Sequence, residues 1–235
     1  MAHQVVIPKG VYGFPDVGFG GFVAGLLAAP SGDGGQHVDF HRPAPLGVML
    51  TITEADGRRR LEDGEGPIAS ARPAEVAVDV PAPPTWDEAL RATGEYVTEA
   101  PIVQHDCYGC GPRRAEGEGL RQFLGLLPER GVVAAAWRPA PALGGPDGAL
   151  PAVQAWAALD CPAGWARFRR PDAPARVMTA NLAATLHRPI IAGERHVAFG
   201  WVISRDGRKT VAGSAVATAD GELCAVARSL WIDAR

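Results

Sequence analysis

Four local signals occur in the same order twice along this chain, and an ordered series repeated at a distance constrains the fold more than any single signal. The first is an apolar, small-residue run. GGFVAGLLAAPSG at 20–32 reads as a helix terminating at Ala29, before Pro and Gly. Its counterpart, PAVQAWAALDCPAG at 151–164, opens on a proline suited to the first helical position and stops or kinks at Pro162. Laid over each other, LLAAPSG (26–32) and ALDCPAG (158–164) put Asp160 opposite Ala28. The second signal is a tripeptide, His41-Arg42-Pro43 and again His187-Arg188-Pro189. The third is a strand ending in an Asp-Gly turn, VMLTITEADG at 48–57 and HVAFGWVISRDG at 196–207. The fourth is a turn into a last strand, DGEGPIASAR at 63–72 and DGELCAVAR at 220–228.

One helix followed by a run of antiparallel strands is an α+β pattern, with the sheet wrapping the helix. Here it occurs twice. The predicted organisation is an N-terminal unit over 1–82, degenerate and shortened, a connector over 83–112, and a C-terminal unit over 113–235. The span Asp56–Glu65 is seven residues shorter than Asp206–Glu222, so the first unit is expected to lack part of a hairpin. The connector combines PAPP at 81–84, a short helical stretch near Asp87 to Arg91, and the cluster CYGCG at 107–111.

Composition narrows the function classes. A 47% hydrophobic fraction with 21% charged residues is that of an ordinary globular protein. The net charge of −3, with no basic run beyond Arg58-Arg59-Arg60, argues against nucleic-acid binding. The Gly-rich stretch from Phe19 to Pro30 is shorter than the ~20 apolar residues a membrane span needs. The first residues do not resemble a secretory signal, so a cytoplasmic location is expected. Four cysteines are too few and too unevenly spread for a disulfide scaffold. His105, Cys107 and Cys110 look like a metal hook, but a fourth ligand is missing and Cys161 and Cys224 lie far off in sequence, so a packed connector with no metal is expected.

The residues Phe19-Gly20-Gly21, Pro151 through Gln154 to Leu159-Asp160, and GWVISRDGRKTVAGSAVATADGELCAVARSLW at 200–231 resemble the hotdog-fold acyl-CoA thioesterase superfamily, the phenylacetic-acid-pathway and small-aryl enzymes in particular. The resemblance covers about 119–233 and, more weakly, 12–80. It implies two fused hotdog units, each an antiparallel sheet around a central helix. It also implies a site between them, where the amide at one helix start faces a carboxylate on the other helix. Carried over by position, Gly20 donates and Asp160 acts as base or nucleophile, with Gln154 orienting substrate or water. Gly21, Arg42 and Arg188 are the implied substrate contacts, the two arginines toward CoA phosphates. The chain departs from the family at its usual histidine, where it has Phe19 in one half and Pro151 in the other, and at Pro162, since relatives commonly continue the helix past the carboxylate.

The other composite pairs Ala152 with Ala28 and has no carboxylate, so one complete site per chain is expected. The implied substrate is an acyl-CoA or related thioester, the implied cofactor none, and the implied assembly a homo-oligomer through the sheets. Hydratases of the same fold use an Asp and His close together, and no such pair accompanies Asp160. The competing reading is a non-catalytic module that binds an acyl or aryl ligand or serves in assembly.

Overall fold

The computed structural model describes residues 2–28, 34–99, 106–168 and 177–233. The elements of the N-terminal part are β1 (Ala2–Val6), β2 (Tyr12–Phe14), β3 (Val17–Gly18), α1 (Gly20–Ala28), β4 (Gln36–Phe40), β5 (Met49–Ala55), β6 (Arg58–Asp63) and β7 (Gly66–Pro73). After them come α2 (Trp86–Glu99), β8 (Gly125–Leu127), β9 (Val132–Trp137), α3 (Ala152–Ala157) and α4 (Asp160–Phe168). The chain closes with β10 (Val177–Leu186), β11 (His196–Asp206), β12 (Lys209–Thr218) and β13 (Leu223–Asp233).

Eleven strands form one sheet in the order β1-β5-β6-β7-β4-β10-β13-β12-β11-β9-β8. Strands from before α2 occupy one side of that order and strands from after it the other. They meet where β4 runs antiparallel to β10, Asp39 opposite Asn181 and Gln36 opposite Ala184.

Because α1 is apolar all round, it has to be buried all round. Gly21 through Gly25, with Leu27 and Ala28, are buried. Its glycines let it approach α3 backbone to backbone: a Cβ on Gly25 would lie 2.7 Å from Val153 Cα, and one on Gly21 2.9 Å from Ala157 Cα.

Alternation along β9 sorts side chains to two faces. Val133, Ala135 and Trp137 join the main core around α1 and α3, while Val132 and Ala134 join a second apolar cluster with Phe199, Trp201, Ala89 and Ala92. That second cluster is roofed by α2, so His196–Trp201 of β11 is buried throughout. The expected short helix near Asp87 to Arg91 is therefore a 14-residue helix with a structural task. Its start is a reciprocal capping box: Thr85 N–H donates to Glu88 Oε2 at 2.7 Å, and Glu88 N–H donates to Thr85 Oγ at 3.3 Å.

The shortening expected of the first unit is seen in the hairpin series β5-β6-β7: no strand is missing from it, but its strands are 7, 6 and 8 residues long, against 11, 10 and 11 for β11-β12-β13. Its Asp56-Gly57 turn has φ of 51° and 68°, the left-handed pair that a two-residue hairpin favours. One expectation is corrected: Pro162 does not end a helix. The helical path breaks at Ala158–Leu159 and resumes, with Pro162 the third residue of α4, where a missing N–H has no intrahelical acceptor to lose. Ala29 and Pro30, the expected end of the first helix, lie outside the described residues.

The repeated tripeptides make matching contacts. His41 and Arg42 both donate their N–H groups to Ile68 O, at 2.8 and 3.4 Å, and His187 and Arg188 do the same to Cys224 O, at 2.8 and 3.1 Å. Each arginine then pairs with an acid of its Asp-Gly-Glu turn, Arg42 with Asp63 and Arg188 with Glu222 at 2.7 Å. The recurrence of the two motifs thus has one cause, since each anchors the other across neighbouring strands.

Candidate active site

Asp160 is the first residue of α4, not the last turn of a preceding helix. A carboxylate is favoured there by the helix dipole, the opposite of the electrostatics expected at a C-terminus. The break that puts it there is held from both sides. Gln122 Nε2 donates to Ala158 O at 3.0 Å, and Ser214 Oγ donates to Leu159 O at 2.7 Å, so neither interrupted carbonyl is orphaned. Gly200 lets β11 pass beneath, for a Cβ there would lie 2.1 Å from Pro162 O.

So placed, Asp160 points at the start of α1. Gly21 N–H donates to its Oδ2 at 2.7 Å, and Thr179 Oγ on β10 lies 3.5 Å from Oδ1. The α1 start is fixed in turn. Phe19 precedes the helix and accepts from Val23 N–H at 3.0 Å, while its own N–H donates to Val11 O at 3.0 Å. Asp160 is 3% exposed. Burial pushes its carboxyl up to about 7, opposed by the Gly21 hydrogen bond and assisted by the neighbouring Cys107 sulfur.

A cavity of about 440 Å³ opens in front of this carboxylate. Its walls are mainly apolar, with Phe14, Phe19, Trp165, Val177 and Trp231; Gly20, Thr179 and Arg42 stand among the polar or open positions. Such a space, apolar with a few placed polar groups, suits a small organic ligand.

The structure gathers some of the expected residues and separates others. Gly20 lines the cavity, and a Cβ on it would be 3.0 Å from Asp160 Oδ2. Gly21 meets Asp160 through its amide rather than meeting the cavity. Arg42 and His41 line the cavity; Arg42 is held by Asp63 and Gly66 O, and His41 Nε2 lies 2.9 Å from Ser70 Oγ. Gln154 does not line it: its Oε1 accepts from Tyr108 Oη at 2.8 Å, which explains a polar residue in an apolar helix. Arg188 is also away from the cavity, in its exposed pair with Glu222. His105 lies outside the described residues.

Reasoning from the sequence did not find Thr179, Tyr108 or the meeting of Cys161 with Cys107 and Cys110. The three sulfurs lie within 4.8 Å of one another, on the same cavity as Asp160. The CxxC spacing was the visible signal; Cys161 had none of its own. No helix among the described residues is long and apolar enough to cross a membrane.

Solved structures share this fold at low sequence identity. A protein of Novosphingobium aromaticivorans, provisionally described as a thioesterase, aligns with a TM-score of 0.67 at 14% identity over 100% of this chain and 96% of its own. The tesB protein of Mycobacterium avium subs paratuberculosis aligns at 0.61 and 13%, over 94% and 89%. A conserved protein of unknown function with hot dog fold from Alicyclobacillus acidocaldarius aligns at 0.61 and 11%, over 100% and 93%. No protein-family profile and no curated protein matches the sequence. The chain therefore has a hotdog-type fold, and over nearly its whole length it resembles in that fold proteins described as thioesterases.

Proposed function

We propose that the chain is two fused hotdog units and hydrolyses a thioester of the acyl-CoA type at one site between them. The observation that carries this reading is Asp160, a buried carboxylate on the wall of an apolar cavity, held by the first turn of a helix from the other half of the chain. The matched contacts of the two tripeptides, and a sheet order divided between the halves, support the two-unit arrangement. The thioesterase descriptions of proteins sharing the fold support the reaction class.

In this reading the acyl group lies along the apolar walls and its carbonyl oxygen turns to the start of α1. Amide N–H groups in a first helical turn lack intrahelical acceptors, and the dipole is positive there, so developing negative charge on that oxygen is stabilised. Gly20 contributes by having no side chain: a Cβ would stand between the substrate and Asp160. The Asp160 carboxylate takes a proton from water as the water oxygen bonds to the carbonyl carbon. When the tetrahedral adduct collapses the C–S bond breaks, and the departing thiolate recovers the proton. In this reading Arg42, which shares the cavity wall with Arg208, meets a phosphate of the CoA moiety.

A thiol-release screen over acyl- and aryl-CoA thioesters, run on the wild type and on Asp160→Asn, tests the proposal. Release by the wild type that the variant loses supports it. Binding of acyl-CoA without release by either protein overturns it in favour of a ligand-binding module.

A further inference from the structure

We infer that Cys107, Cys110 and Cys161 form a three-thiolate site for one thiophilic metal ion of the zinc class, with its fourth position open to the cavity. The inference rests on the geometry of the sulfurs and stands whether or not the chain hydrolyses thioesters.

The distances suit a metal. The three sulfurs lie within 4.8 Å of one another, and Cys107 Sγ is 3.7 Å from Cys161 Sγ. A tetrahedral ion with Zn–S bonds of ~2.3 Å holds its sulfurs about 3.8 Å apart. All four cysteines of the chain are free thiols. Two of the cluster sulfurs come from one loop and the third from α4, 54 positions away, so the meeting is a product of tertiary structure rather than of chain proximity.

The surroundings suit charged sulfur. The Trp165 indole N–H donates to Cys110 Sγ at 3.2 Å. A neutral thiol gains little from such a donor, whereas a thiolate in an apolar interior depends on it. Three thiolates buried together would repel one another, and a divalent cation removes that repulsion.

The loop is also shaped to the third sulfur. A Cβ on Gly109 would fall 2.4 Å from Cys161 Sγ and 2.7 Å from Phe19 Cζ, so the CYGC turn closes over that atom only because position 109 is glycine. Beyond the turn, Tyr96 Oη donates to Cys110 O at 2.7 Å, and Tyr108 N–H donates to Tyr12 O at 2.7 Å, tying both ends of the loop to the fold. All three cysteines line the cavity, so a water molecule or a sulfur-bearing ligand entering from that side completes the coordination.

The test is a Co²⁺ titration of the reduced full-length chain, followed by displacement with Zn²⁺. The expected result is a thiolate-to-cobalt charge-transfer band, with the visible bands of a tetrahedral ion, saturating at about one equivalent and abolished by zinc. Cys107→Ser, Cys110→Ser and Cys161→Ser should each weaken Co²⁺ binding at least ~100-fold, the upper end of the loss caused by removing a mere outer-shell partner. Cys224→Ser, in which the removed thiol lies away from the cluster, should saturate like the wild type. If a serine variant fails to fold, the wild-type titration still decides: no charge-transfer band in the reduced wild type overturns the inference, as does a band of wild-type strength in Cys161→Ser. Asp160→Asn should keep the band while losing hydrolysis, so failure of the metal site and failure of the thioesterase reading are seen separately.

Discussion

Gly21 donates its amide N–H to Oδ2 of Asp160 at 2.7 Å, a contact between the first turn of α1 and the first turn of α4 across 139 positions of sequence. Two helix starts thus meet at one carboxylate. Both dipoles present their positive ends to it, which lets a single acidic side chain remain 3% exposed between them with no Lys or Arg among the described residues in hydrogen-bonding contact. The cavity begins where the Gly20 side chain would be.

Asp160→Asn keeps the size of the side chain and an oxygen for Gly21 N–H but removes the proton acceptor. Thioester turnover should fall by at least ~10²–10⁴-fold, the usual contribution of general-base catalysis. Initial rates of thiol release, beside unchanged near-ultraviolet circular dichroism, measure this; a folded variant with wild-type rates contradicts the assignment.

At Gly20 an alanine methyl would sit 3.0 Å from Asp160 Oδ2 and 3.7 Å from Thr179 Oγ. Gly20→Ala is expected to lose turnover with little change in melting temperature, because the methyl points into the cavity rather than the core. Ala152→Ser, at the start of α3, should retain turnover. Equal losses in the two variants would show that the halves have been paired wrongly.

Gly21→Ala should act on stability instead. Its Cβ would lie 2.8 Å from Asp160 Cβ and 2.9 Å from Ala157 Cα, and neither backbone-linked neighbour can swing aside. Overpacking of this kind costs typically ~1–3 kcal/mol. Urea unfolding of the variant beside the wild type gives the value, and an unchanged midpoint would mean that α1 and α3 slide apart freely.

The break before Asp160 has its own test in Ser214→Ala, which strips the donor from the buried Leu159 carbonyl. Leaving that oxygen unsatisfied should cost roughly 1–3 kcal/mol. Turnover should fall with it, because the same carbonyl belongs to the residue preceding Asp160; stability loss with full activity would separate the break from the site.

His196 supplies a pH dependence of folding. It is buried at the start of β11, with Nδ1 3.2 Å from Glu194 O, and burial lowers its pKa from the usual 6.5 despite the backbone contact and nearby Glu194. A base whose folded pKa is depressed binds its proton more readily in the unfolded chain. Its contribution is therefore complete above pH ~6.5 and is lost as pH falls from there toward the lowered folded value. Denaturation midpoints between pH 8 and 5 should drop less steeply for His196→Gln than for the wild type, and identical slopes would refute the effect.

The paired motifs His-Arg-Pro and Asp-Gly-Glu were legible before any coordinates, and so was the Asp-Gly turn, because each depends on residues close in the chain. The structure adds why they travel together: Arg42 reaches Asp63 and Arg188 reaches Glu222 across adjacent strands. The start of α2 was legible too, in the Thr85-to-Glu88 cap. Pro162 misled because a proline both ends a helix and fits a first turn, and only the path of the backbone distinguishes the two.

What the sequence by itself determined is therefore local: the helical and extended segments, their turns, and an acidic residue alone in an apolar stretch. Whether that acid faced solvent or a helix start, and whether Cys161 had partners, was decided by packing. Glycines at 21, 25 and 109 admit backbone and sulfur to distances a side chain would forbid, and Gln122 and Ser214 hold open a helix break that no local rule requires. These contacts join positions up to 139 residues apart. Such distances are set by how the whole sheet closes around its helices, and no window of sequence contains them.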